Sequence, residues 1–129
     1  MTSPRPVTSS TAAFRRTVAR TMSEDALQTN VISGLQWHGW RVAHFRAAET
    51  TKGWRTPVQG DGKGFPDLIA VRAPRCLVAE LKSAKGTVSP EQQAWLDEFA
   101  AAGHEVYVWR PMDWLDGSIE RLLMKEASS

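Results

Sequence analysis

Three ionisable residues stand where the surrounding pattern calls for apolar ones. Asp67 follows Pro66 at the head of Leu68-Ile69-Ala70-Val71, while Glu80 and Lys82 flank Leu81 at the end of Cys76-Leu77-Val78-Ala79. Side chains alternate faces along a β-strand, so Glu80 and Lys82 share one face and Leu81 enters the other. The tight Ala73-Pro74-Arg75 turn between the two runs predicts an antiparallel hairpin. In that hairpin Asp67 lies near Glu80, and two carboxylates and an ammonium converge at one end of a sheet. Burying a carboxylate without a partner costs on the order of several kcal/mol even after relaxation. A divalent cation between the two acids removes that cost, and oxygen-only ligands select Mg²⁺ or Mn²⁺ over zinc. Such an ion polarises a phosphodiester and lowers the pKa of bound water; Lys82 can orient that water or offset developing negative charge. The competing reading of the same residues is a solvated strand-end ion pair, with Asp67 a turn residue after proline.

The elements that must position these groups follow from local patterns. Ser23 is a helix N-cap with Glu24 and Asp25 in the first turn, and Leu27, Val31, Ile32 and Leu35 keep helical spacing to about His38, before Gly39. Trp40–Phe45 alternates as a strand with Trp40, Val42 and His44 on one side. Residues 46–65 hold Gly53, Gly60, Gly62, Gly64 and Pro57 and read as one long loop. Asp67–Arg72 and Cys76–Lys82 are the two strands of the hairpin. Ser89-Pro90-Glu91-Gln92 opens a second helix, with Ala94, Trp95, Phe99 and Ala102 expected inward and Gly103 as the stop. Glu105–Arg110 alternates as a further strand, and Asp113 or Asp116 caps a short final helix through Ile119, Leu122 and Leu123. A strand–helix–strand crossover over residues 76–110 calls for parallel pairing. The predicted fold is therefore α/β, a mixed four-stranded sheet flanked by helices in the order αβββαβ. Trp37, Trp40, Trp95 and Trp109 are expected in the core, and Cys76 is expected as a buried thiol.

At 129 residues the chain fits one domain, and 42% apolar against 23% charged residues favours a packed core over disorder. No apolar run approaches the length of a membrane span, and the N-terminus lacks the continuous apolar stretch of a secretory signal. The lone Cys76 forms no intrachain disulfide and suits a reducing cytoplasm, the host's if the chain is phage-encoded. One cysteine and three histidines also leave no zinc site of familiar spacing. The formal charge of +2 is unevenly spread. Residues 1–22 carry Arg5, Arg15, Arg16 and Arg20 with no acid, and residues 40–64 carry Arg41, Arg46, Lys52, Arg55 and Lys63 against Glu49 and Asp61. A polyanion met on one face fits that distribution. Residues 1–22 lack a hydrophobic period and read as a flexible basic arm ahead of a domain at 23–129. Their composition also resembles an organellar transit peptide, which Pro4 and Pro6 weaken, and Met22 offers an alternative start.

Pro66-Asp67, twelve intervening residues and Glu80-Leu81-Lys82 resemble the PD-(D/E)xK nuclease signature. The wider context resembles its VRR-NUC branch, in particular the small stand-alone phage and bacterial members. The matching pieces are Ser23-Glu24 with Gln28 and Val31, Gly39-Trp40, Gly64-Phe65-Pro66-Asp67-Leu68, Ala79–Ser83, Pro90-Glu91-Gln92 with Trp95-Leu96, and Val106–Pro111 with Asp113-Trp114. The resemblance implies a restriction-endonuclease-like core, Mg²⁺-dependent phosphodiester cleavage and a preference for branched or flapped DNA, Holliday junctions among them. It implies Asp67 and Glu80 as metal ligands, with Leu81 and Glu24 in the metal set, and Lys82 as the water-orienting base. Gln92 would hold the attacking water or a phosphate. Two of these residues have plain alternatives: Glu24 as an acid answering the helix dipole, and Gln92 as a capping residue. Arg46, Lys52, Arg55, Lys63, Ser83 and Lys85 are the expected nucleic-acid contacts, with Trp54 and Arg55 able to stack on an unpaired base. His44 is either a phosphate contact or a structural histidine. Cutting a symmetric junction needs two active sites, which implies a homodimer. The rival class is a non-catalytic DNA-binding or partner-binding module. A sequence-specific restriction enzyme is disfavoured, because the chain has no room for a recognition domain.

Overall fold

The structure, a computed structural model, describes residues 5–45, 48–50, 53–55 and 59–127. Its elements run α1 (Arg5–Thr21), α2 (Glu24–Trp37), β1 (Arg41–His44), β2 (Ala48–Thr50), β3 (Gly53–Arg55), β4 (Leu68–Arg72), β5 (Arg75–Leu81), α3 (Pro90–Ala101), β6 (Glu105–Trp109), α4 (Pro111–Leu115) and α5 (Ser118–Met124). The main sheet has the order β1-β4-β5-β6. β1 pairs antiparallel with β4 and β4 with β5, whereas β6 joins β5 in parallel after the α3 crossover. The mixed four-stranded sheet expected from the sequence is the sheet observed.

Period-two alternation divides the sheet into two faces. Leu68 and Ala70 of β4, with Leu77, Ala79 and Leu81 of β5 and Trp109 of β6, meet Leu27, Val31 and Leu35 of α2 and Ile119 and Leu123 of α5. Burying each of those leucines contributes about 1.5–3 kcal/mol. α2 starts where Ser23 Oγ accepts the Ala26 N–H at 3.0 Å. The residues of the opposite parity, Val78 and Glu80 among them, face the side covered by α3, which buries Leu96. At the hairpin turn, Arg75 forms a paired bond to Glu105, at 2.8 Å from Nε and 2.7 Å from Nη2. Its Nη1 also donates to the Leu122 and Lys125 carbonyls, tying the turn to the C-terminal segment. The end of the sheet remote from Asp67 is thereby fixed. Among the described residues no helix is long and apolar enough to cross a membrane.

Several expectations change. Residues 5–21 are helical rather than a loose arm: α1 lies against α4 and buries Ala19. Among the described residues its inward side chains are small and few, Ala12 and Val18 half-buried beside Ala19, while Phe14 is exposed. The long loop at 46–65 contains the β2–β3 hairpin. α3 turns Leu96 inward and leaves Ala94 and Ala102 exposed. Trp37, expected in the core, is 84% exposed at the last position of α2, on the outward side with Ser33 and Gln36 and off the face that Leu27, Val31, Gly34 and Leu35 bury. Cys76 is half-buried rather than buried, because it faces the sheet side that α3 covers only in part. Lys82 lies just beyond the end of β5.

Candidate active site

The site begins with a segment that cannot slide. Gly64 has φ +82°, and a Cβ built on it would stand 2.6 Å from the Glu91 carbonyl carbon and 2.7 Å from the Gln92 nitrogen. Only glycine lets the backbone lie this close to the first turn of α3. Phe65 then meets Phe45, Trp95 and Phe99 edge-on, at centroid distances of 5.1, 4.9 and 6.0 Å. Pro66 is fully buried. Asp67 leaves this anchored stretch with its main chain paired to β1, the Phe45 N–H donating to the Asp67 carbonyl at 2.8 Å. Its side chain is fixed from the next strand, the Leu81 N–H donating to Oδ2 at 2.7 Å. The register pairs Leu68 with Ala79, and one further step sets Asp67 opposite Glu80. The hairpin geometry read from the sequence is the geometry found.

Glu80 is 1% exposed, and its Oε2 has no hydrogen-bond partner among the described residues. Burial, more than anything else, pushes its carboxyl up to about 9; a hydrogen bond with Asp67 and the negative charge there add to the effect. Lys82 pulls it down and Glu24 pushes it up further, so the charges of three other residues, Asp67, Lys82 and Glu24, are felt at one carboxyl. Lys82 keeps the β5–β6 pairing going by one residue, its N–H donating to the Trp109 carbonyl at 3.0 Å. The turn that follows is closed by the Gly86 N–H, which donates to Ser83 Oγ at 3.1 Å. Arg110 Nη1 clamps the same turn, donating to the Ser83 and Gly86 carbonyls at 2.7 Å each. Sequence reasoning missed Arg110 as a residue of the site. Its only signal was its place in the Val106–Pro111 piece, which says nothing of where the guanidinium reaches.

The other predicted residues separate clearly. Leu81 sends its side chain into the opposite core, 2% exposed, so only its main chain can serve the site. Gln92 forms a capping box: its Oε1 accepts the Ser89 N–H at 2.8 Å and its N–H donates to Ser89 Oγ at 3.1 Å. That commits Oε1 and leaves Nε2 as its remaining polar group. Glu24 opens α2 and is exposed. His44 lies on the α2 side, its Nδ1 3.4 Å from Gln28 Nε2. Lys63 is exposed and pairs with Glu91 at 3.3 Å. Lys85 is exposed in the turn beside Ser83. Arg55 closes β3, and Arg46 and Lys52 lie outside the described residues. A cavity of about 660 Å³ between the Gly60–Lys63 segment and α3 includes none of Asp67, Glu80 and Lys82 in its described lining.

Among the described residues no three His, Cys, Asp or Glu side chains group closely enough to hold an ion, so Glu24 does not complete a three-carboxylate cage. The residues present nonetheless fit Mg²⁺, which keeps several waters and is commonly bound through one or two carboxylates. The orphaned Oε2 of Glu80 is the atom such an ion would satisfy. No curated protein matches the chain. A family model described as the VRR-NUC domain matches residues 20–113, a stretch that takes in Glu24, Asp67, Glu80, Lys82, Gln92 and Arg110. With most of its length covered by that match, the chain belongs to the VRR-NUC domain family, whose members have a nuclease-type, DNA-processing function.

Proposed function

We propose that the chain is a metal-dependent endodeoxyribonuclease of the PD-(D/E)xK type, structure-specific for branched or flapped DNA such as Holliday junctions, and acting in the cytoplasm. The observation that carries this reading is the buried Glu80 carboxyl, oriented by the sheet against Asp67 and left with one oxygen unpartnered. A bound Mg²⁺ or Mn²⁺ supplies Lewis-acid polarisation of the phosphodiester. Asp67, Glu80 and the main-chain carbonyl of Leu81 would hold it, and Glu24 adds negative potential from the start of α2. The Leu81 N–H keeps the Asp67 carboxylate in one orientation, so the ligand set is formed before substrate arrives. Lys82 orients the attacking water and offsets charge that develops on the phosphate, its turn steadied by Arg110. Gln92 has only Nε2 left to donate to that water or to a phosphate oxygen. The chain offers one such acid pair, and a four-way junction presents two equivalent bonds, so a homodimer is the expected working form.

The test is cleavage of labelled duplex, flap and four-way junction with Mg²⁺ and with Mn²⁺, beside EDTA and Lys82→Ala controls. Cutting at or near the branch is expected, abolished by EDTA and reduced at least about 100-fold in Lys82→Ala. Binding without cutting under every condition would overturn the reading in favour of a non-catalytic DNA-binding or partner-binding module.

A further inference from the structure

The acid pair is a poor surface for holding a polyanion. Asp67 and Glu24 bring negative charge there, and residues 91–129 hold eight acids against three bases. Affinity for DNA must come from a separate basic surface within reach. α1 has that character. It carries Arg5, Arg15, Arg16 and Arg20 and no acid, and nearly all of it precedes the stretch matched by the family model. It is docked, with Ala19 5% exposed and the helix set against α4, where the charge of Arg15 reaches Asp116. Arg16 and Arg20 are one helical turn apart and so share a face. Both are exposed, and neither has an acidic partner within 4 Å among the described residues. Among the described residues Arg20 reaches only Thr17 Oγ1, at 3.5 Å. α1 also ends where the site begins: Met22, between the helices, packs against the core, and α2 opens with Glu24, whose charge is felt at Glu80. Four residues of chain span no more than about 14 Å, which bounds the distance from the Arg20 backbone to that of Glu24.

We infer that α1 is a fixed phosphate-binding helix whose Arg16 and Arg20 hold the duplex flank of a DNA substrate beside the Asp67–Glu80 pair. This rests on the nuclease reading above and adds the surface that binds the substrate. A spacing of one helical pitch, about 5.4 Å, suits neighbouring phosphates of a single strand. Such contacts carry no sequence information and position the duplex, as a structure-specific enzyme requires. Docking on α4 distinguishes this helix from a tethered basic tail: it sets where the flank lies relative to the scissile bond.

The test uses the full chain in a Lys82→Ala background, so that binding is read without cutting, on labelled duplex and four-way junction in Mg²⁺ from about 50 to 300 mM salt. Arg16→Ala/Arg20→Ala should weaken binding about 10-fold and flatten the slope of log affinity against log salt by about 1 to 2. In the active chain the same pair should raise the DNA concentration needed for half-maximal single-turnover cleavage by about 10-fold. Ala19→Asp, which keeps both arginines and breaks the docking, should also weaken binding while circular dichroism shows the domain folded. An unchanged salt slope in the double variant, with the parent chain cutting normally, overturns the inference and leaves the nuclease reading standing. So does a loss of binding to anionic vesicles in place of DNA, which would make α1 a membrane-facing helix. Full affinity in Ala19→Asp would make it a loose tail and overturn the fixed placement. A parent chain that neither binds nor cuts DNA removes both.

Discussion

A glutamate that is 1% exposed beside a second carboxylate keeps its proton at neutral pH, and the whole molecule feels the consequence. Glu80 is pushed up to about 9 in the fold from an ordinary 4.5, by burial first and by Asp67 second. Between those values the folded chain holds a proton that the unfolded chain has released. Stability contributed by this group is therefore greatest below pH 4.5 and declines as pH rises towards about 9. Glu80→Gln keeps the shape and cannot ionise, so it should abolish this decline. In EDTA at pH 8 it should be more stable than the parent by about 1–3 kcal/mol, and the two should converge near pH 5. Thermal melts of both proteins across that range measure the difference; a constant gap would mean that the carboxyl titrates normally. Cleavage should be lost in the same variant. Stability and activity then move in opposite directions, as expected when a site keeps an unfavourable charge for its ligand.

At the scale of elements, the segment leading into Asp67 is positioned by how closely its backbone approaches α3. Gly64→Ala combines a positive φ with a Cβ 2.6–2.8 Å from Glu91 and Gln92, and two of those three neighbours are backbone atoms. It should cost on the order of 3 kcal/mol and reduce cleavage by displacing Asp67. Gly60→Ala, also at positive φ but with nothing within 4 Å, should cost only about 1–2 kcal/mol and leave cleavage intact. Chemical denaturation with single-turnover rates separates the two; equal effects would mean that the close approach does not set the site. The same contrast explains what the sequence could disclose. The acid pair was legible because strand parity and a short hairpin turn fix which side chains share a face, and Glu80 follows from Asp67 by register alone. The Gln92 cap was legible as an alternative, since Ser-x-x-Gln is itself a helix-start pattern. α1 was not, because the residues it turns inward are few and small, Ala19 buried with Ala12 and Val18 half-buried, while the larger Phe14 is exposed. The inward face of α3 was misplaced for a related reason: Trp95 and Phe99 pack sideways onto Phe65, while Leu96 takes the core. Arg110 escaped notice because its work is done on carbonyls more than twenty residues away in sequence.

For the molecule as a whole, the two ends of the sheet are built on opposite terms. At the hairpin turn Arg75 satisfies Glu105 and two carbonyls of the C-terminal segment, and Arg72 and Arg75 lie over the Trp40 ring at 5.2 and 4.7 Å. At the open end, Asp67 and Glu80 press together with an unpartnered oxygen. A ligand that binds only the folded state stabilises it by about 2.7 kcal/mol at a hundred times its dissociation constant. For a chain of 129 residues that corresponds to a rise in Tm of about 10 °C. Mg²⁺ or Mn²⁺ should produce this rise in the parent chain and little of it in Glu80→Gln, whereas Arg16→Ala/Arg20→Ala should respond in full. The ion must displace the Glu80 proton, so the rise should grow between pH 6 and pH 8.5 and isothermal titration should record proton release in that window. Zinc should do less, because the oxygen-only set offers it neither thiolate nor imidazole. A Tm that ignores Mg²⁺ and Mn²⁺ at every pH would mean that the strain at this end of the sheet serves something other than a cation.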